Sequence, residues 1–238
     1  MSPSSLARLA IVGATLSLSG AAYAYPLNPW GTATPKSTFV LNPFLYAYPG
    51  PDILLIPYGL YGFTDQVDLI GGLYVEYADG VSFGGVELLP RYFFADNMGV
   101  ALHIIAGGGA VTVGPEFHGV FGGDSLALTV NAGWLPVIGL GNSAGFSPGA
   151  VKALIAPEYN FSSQLSVFLE VDPTLTLGEG GGLGLVVVPG VGFATDEDQT
   201  NTFSVGLQVD NPQSKPVSSF AKEKLSLGLW YSRAFGGE

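Results

Sequence analysis

The two histidines, Arg91 and a handful of carboxylates are the side chains with chemistry to offer in this 238-residue sequence. His103, Glu116 and His118 form the tightest constellation, because a hairpin turning near Gly109 and Ala110 places residue 103 opposite about residue 116. Two imidazoles and a carboxylate are a zinc-type donor set, but zinc also demands converging geometry that spacing does not supply. The plainer reading is a solvated polar cluster that holds no metal. A second group, Asp68, Glu76, Glu87 and Arg91, brings carboxylates to an arginine on neighbouring segments, either as an ion-pair network or as a substrate clamp. Lys152, Glu158 and Glu170 extend the polar set. Hydrolysis would need a nucleophile with a base in reach, and the nearest serine downstream of the histidines, Ser125, lies across a turn from them. There is no nucleophile elbow, phosphate-binding loop or metalloprotease motif, and Gly178-Glu179-Gly180-Gly181-Gly182 lacks the lysine and helix of a phosphate site. The expectation is a non-enzyme without cofactor.

The segments that carry these groups have period two. In 67–77, Val67, Leu69, Gly71, Leu73, Val75 and Tyr77 alternate with a mixed set containing Asp68, Tyr74 and Glu76. The same split recurs at Met98-Val100-Leu102-Ile104, Leu126-Leu128-Val130, Leu165-Val167-Leu169-Val171, Phe203-Val205-Leu207-Val209 and Leu225-Leu227-Leu229. Asp68, Glu76, Glu87, Arg91, His103, Glu116, His118, Lys152, Glu158 and Glu170 all have the parity opposite the apolar rows. Lipid enforces such purity, since a charge at the bilayer midplane costs about 2–4 kcal/mol.

A second regularity marks one end of the hairpins. Phe63, Phe94, Phe121, Phe161, Phe193 and Phe235 each precede a short polar or small turn, as an aromatic girdle at one membrane interface would. At the other end the expected loops are longer: Pro49–Asp52, Asp79–Gly84, Gly107–Val111, Pro136–Gly149, Gly178–Gly182 and Asn211–Lys222. With Ser37–Tyr48 as first strand and Lys224–Phe235 as last, the pattern predicts an all-β, closed antiparallel transmembrane β-barrel of about 12 strands. Pro57, Pro90, Pro115, Pro157 and Pro189 fall on the apolar rows, where a missing N–H predicts bulges or ladder breaks.

Composition agrees. Charged residues are 11% and hydrophobic ones 47%, yet no apolar run of helix-spanning length follows residue 25. A net charge of −11 argues against nucleic acid as partner. Arg8, the apolar stretch from Leu9 and Ala22-Tyr23-Ala24 read as a signal peptide over 1–24, cleaved after Ala24, followed by an extension over 25–36 and the barrel over 37–238. The expected partners are the outer-membrane bilayer, the barrel-assembly machinery and a small-molecule solute. The expected role is a narrow channel or carrier for small hydrophobic or cationic molecules, with a non-conducting structural or surface-interaction barrel as the alternative.

With the strands placed, the chain resembles a Gram-negative outer-membrane β-barrel. The hairpin Tyr58-Gly59-Leu60-Tyr61-Gly62-Phe63-Thr64-Asp65-Gln66-Val67-Asp68-Leu69, with Leu89-Pro90-Arg91-Tyr92, is similar to the "YGxTDxxDL … PRY" pattern of the phenol meta-pathway type of outer-membrane barrel. That resemblance implies outer-membrane residence and passage of small hydrophobic molecules, with no catalytic residue to carry over. It departs from the wider class at the C-terminus, where Gly236-Gly237-Glu238 follows Phe235 in place of a terminal aromatic.

Overall fold

A computed structural model describes residues 32–48, 52–77, 80–141, 144–178, 181–195, 201–210 and 225–236. The segment 1–24 and the C-terminal pair 237–238 lie outside the described residues, as does 211–224, where one of the longer loops was expected. Twelve strands run in chain order: β1 Thr38–Ala47, β2 Ile53–Gly62, β3 Val67–Tyr77, β4 Val81–Ala95, β5 Met98–Gly107, β6 Ala110–Gly122, β7 Leu126–Gly139, β8 Gly145–Ser162, β9 Leu165–Thr176, β10 Leu183–Ala194, β11 Asn201–Asp210 and β12 Leu225–Gly236. Each pairs antiparallel with its sequence neighbours, and β1 pairs with β12 from Thr38↔Gly236 to Ala47↔Leu227, closing the barrel.

Alternation sorts side chains to the two faces as the sequence predicts. Val100, Leu102, Val167 and Leu229 face outward and are exposed, while His103, Glu116 and Glu170 on the opposite parity are buried inside. A water-soluble barrel would reverse this arrangement.

Several strands run further than the turn residues suggest. β4 begins at Val81 inside the expected loop Asp79–Gly84. β7 and β8 extend to Gly139 and from Gly145, so the expected loop Pro136–Gly149 shrinks to 140–144. Pro136 and Pro148, read from sequence as loop residues, sit instead beside a bulge between Leu135 and Val137. The β5–β6 connection is the two-residue turn Gly108-Gly109, with φ of 57° and 83°, a conformation open to glycine at both positions.

The five prolines behave alike. Each keeps its partner on the preceding strand, as in Leu69↔Pro90 and Leu102↔Pro115, and interrupts the ladder to the following one. The β4–β5 register skips from Leu88↔Ile104 to Arg91↔Ala101, and the β6–β7 register from Thr112↔Val137 to Glu116↔Gly133. Pro57, Pro157 and Pro189 interrupt β2–β3, β8–β9 and β10–β11 in the same way. Pro43 breaks the closing β1–β12 seam between Leu41↔Arg233 and Phe44↔Trp230. A belt of breaks on alternate seams therefore replaces the isolated defects that single prolines would give.

Candidate functional site in the barrel interior

The interior is packed, and its chemistry divides by strand. β1, β2 and β12 are mostly apolar on the inward face too: Phe44, Tyr46, Leu54, Ile56, Leu60 and Trp230 point inward and are buried, with Thr38, Asn42 and Ser226 the buried polar exceptions. They form one cluster with Ile70, Tyr74, Leu89, Phe168 and Val188. Polar side chains therefore line only part of the interior, because aromatic residues on these strands occupy both parities and charge placement alone does not separate the faces there. Inward glycines make room for the rings. A Cβ on Gly190 would collide with the Phe168 ring, and one on Gly228 would lie 2.6 Å from Trp230. Trp230 meets Phe168 with ring centroids 5.9 Å apart, joining β12 to β9 across the interior.

The ionic side lies on β3–β6. His103, Glu116 and His118 do come together, although the true turn makes the cross-strand partners His103↔Gly114 and Ala101↔Glu116, so the contact is diagonal. His103 Nδ1 lies 2.6 Å from Glu116 Oε2, and its Nε2 lies 2.6 Å from Glu87 Oε1. Nδ1 is hydrogen-bonded to Glu116, while the close approach of Nε2 to Glu87 is an ion-pair contact. His118 Nε2 stands 3.6 Å from Glu116 Oε1, beyond hydrogen-bond reach. Glu87 also accepts a bond of 2.5 Å from the Tyr58 hydroxyl and one from Tyr74. The cluster is dehydrated rather than solvated, with His103 and His118 at 0% exposure. Among the described residues, no three His, Asp or Glu side chains converge as a metal site.

The second expected group separates. Arg91 pairs with its cross-strand partner Asp68, Nε to Oδ1 at 2.8 Å and Nη2 to Oδ2 at 2.6 Å. Glu87 belongs to His103 instead, and Glu76 is half-buried near the far end of β3 with no bond to Arg91. The Asp68–Arg91 pair also holds the segment before β1. The Thr34 amide donates to Asp68 Oδ2 at 2.7 Å, and Arg91 Nη2 donates to the Thr32 carbonyl at 3.2 Å. Thr34 is buried, Lys36 bridges to Gly62, and Ser37 takes a φ of 61° to enter β1. Asp68→Asn removes charge-assisted bonds of about 1.5–3 kcal/mol each, so tryptic cleavage after Lys36 is expected to accelerate about tenfold or more. Unchanged cleavage would mean that another contact anchors the segment.

A third wall, on β8, β9 and β11, is acidic. Glu170 and Asp172 lie two apart on the inward face of β9, both buried. Lys152, half-buried on β8, acts electrostatically on both Asp172 and Glu116. Among the described residues neither Glu170 nor Asp172 forms a salt bridge, and Glu170 Oε1 has no hydrogen-bond partner. Glu158 is half-buried on β8. Asp172 and Phe168 share the parity of Glu170, and Tyr74 that of Asp68 and Glu76, so parity places them inside; it does not tell that Tyr58, Tyr74, Phe168 and Trp230 fill the interior.

The six phenylalanines all stand at the rim where the shorter turns lie, on or just beyond the ends of β2, β4, β6, β8, β10 and β12. All are exposed, from 39% at Phe121 to 61% at Phe161. Other aromatics join them: Tyr61 packs edge-on to Phe63, Tyr159 to Phe161, and Phe39 stacks on Phe235.

No protein-family model matches the chain, and no curated protein matches its sequence. Solved structures match its fold. An outer-membrane channel from Pseudomonas putida F1 aligns with a TM-score of 0.60 at 14% identity, over 89% of this chain and 100% of the channel. The KdgM porin, solved in complex with oligogalacturonate, aligns at 0.55 and 12% identity over 83% of this chain and 99% of the porin. The NanC porin aligns at 0.55 and 6% identity over 84% and 100%. The likeness is one of fold, a closed antiparallel 12-strand β-barrel.

Proposed function

We propose that the chain resides in the outer membrane and passes small cationic solutes through a narrow lumen. The observation that carries this is the acidic wall of Glu158, Glu170 and Asp172, against which, among the described residues, Lys152 is the one basic side chain set. A wall of one sign admits cations and repels anions. The exposed phenylalanine rim supports membrane residence as an interfacial girdle, and the apolar cluster that reaches the acidic wall at Phe168 suits a solute with a hydrophobic body. The similarity to the phenol meta-pathway type rests on the Tyr58–Leu69 hairpin and Pro90-Arg91-Tyr92. Its residues have physical roles here, since Thr64 Oγ1 accepts from the Gln66 and Val67 amides in the turn and Asp68 grips Arg91. Export by the 1–24 signal and insertion by the barrel-assembly machinery, acting on a last strand that carries Phe235, complete the reading.

A second reading, a non-conducting barrel, is favoured by the filled interior, where Phe44, Ile56, Leu60 and Trp230 are buried at mid-strand. Planar-bilayer recording in a salt gradient decides between them. The wild type is expected to show a cation-selective reversal potential that moves toward zero in the Glu170→Gln, Asp172→Asn variant. Absence of single-channel current, or anion selectivity, overturns the cation-channel reading.

A further inference from the structure

The rim at the shorter turns is covered unevenly. Residues 32–36 are bound at β2–β4, whereas on the opposite side a cavity of about 80 Å³ lies between β8 and β12. It reaches from the Ser163–Gln164 turn down to Phe168 and Trp230. Among the described residues, Glu158 is the one charged side chain in its lining, and no basic residue lines the cavity beside it. Asn42, from β1, also lines the cavity, is wholly excluded from solvent, and has no hydrogen-bond partner at Nδ2 or Oδ1. Leaving a buried polar group unpaired costs about 1–3 kcal/mol, so such a group calls for an occupant that pairs with it.

We infer that this cavity binds a small hydroxylated alkylammonium ion. The ammonium group faces the Glu158 carboxylate and rests against the rings of Trp230 and Phe168, which attract a cation through their π faces. The hydroxyl pairs with Asn42, whose amide both donates and accepts. At roughly 10–15 Å³ per water the cavity holds about five to eight water-sized groups, which matches a molecule of choline size. An anion would meet Glu158 with like charge, and a neutral sugar would leave that carboxylate without a counter-charge. The assignment rests on the cation-channel reading and deepens it by placing a solute site at one mouth of the barrel.

Calorimetric titration of the whole refolded barrel in maltoside micelles tests it. Choline is expected to bind saturably, and 3,3-dimethyl-1-butanol, its neutral isostere, at least tenfold more weakly. Glu158→Gln should lower choline affinity at least tenfold, and Glu158 is partly exposed, so this variant keeps its fold. Asn42→Ala should weaken choline but leave tetramethylammonium, which has no hydroxyl, unchanged. Equal affinity for the isostere, preferential binding of glucose, or indifference to Glu158→Gln overturns the inference. Choline binding without any bilayer current supports the site and sinks the channel; cation-selective current without choline binding sinks the site alone.

Discussion

Trp230→Ala is expected to raise single-channel conductance several-fold while lowering the stability of the barrel by about 3–5 kcal/mol. The indole is the piece that closes the interior. It packs against Phe44 and Tyr46 with centroids 6.5 and 6.2 Å away, meets Phe168 at 5.9 Å, and donates from Nε1 to the Tyr46 hydroxyl at 3.4 Å. It occupies space left by Gly206 and Gly228, where an added Cβ would lie 2.6 Å from the ring. Trp230 both lines the rim cavity and belongs to the buried cluster, so its removal is expected to join the cavity to the interior. In barrels of this size side chains decide whether the lumen is filled, and one large residue is a sizeable part of that filling. Trp230→Phe keeps an aromatic ring without the Nε1 donor and should fall between wild type and alanine in both measurements. A folded Trp230→Ala barrel, judged by heat-modifiable migration, with wild-type conductance would show that closure resides elsewhere.

The strand pattern was legible because lipid and lumen impose opposite chemistry on alternate residues. Val100, Leu102 and Val167 against His103, Glu116 and Glu170 reveal the strands and their two faces, and the purity of the apolar face is what points it to lipid and the sheet to closure. Proline positions were legible for a similarly local reason, since a missing N–H acts wherever the fold puts it. What the sequence hid is the filling of the barrel. Phe44, Tyr58 and Trp230 are chemically equivalent to the rim residues Phe39, Tyr61 and Phe235, and only register tells an inward ring from an outward one. The partner of each charge was equally hidden. Glu87 and Asp68 are both candidates for Arg91 by parity, yet Asp68 is its direct cross-strand partner while Glu87 lies four residues before it on the same strand, beside His103. Loop lengths misled because glycine and proline at Gly84, Pro136 and Pro148 resemble turn chemistry while serving strands and bulges.

His103→Ala is expected to destabilise the barrel by about 3–5 kcal/mol, the cost of breaking a buried ion pair and leaving its partners uncompensated. The imidazole lies between Glu116 and Glu87, each at 2.6 Å, in a region excluded from water, so its loss leaves two carboxylates facing a void. Urea unfolding of the refolded protein in liposomes reads the change. Adding Glu87→Gln and Glu116→Gln should recover part of the loss, because neutral amides cost less to bury than unpaired charges. His118→Leu supplies the contrast. Both His118 ring nitrogens lack hydrogen-bond partners and its nearest carboxylate oxygen is 3.6 Å away, so a neutral side chain of similar size is expected to cost less than about 1.5 kcal/mol. The reverse order, with His118 the costlier substitution, would mean that the histidine–carboxylate chain is organised around His118 rather than around the bridge at His103.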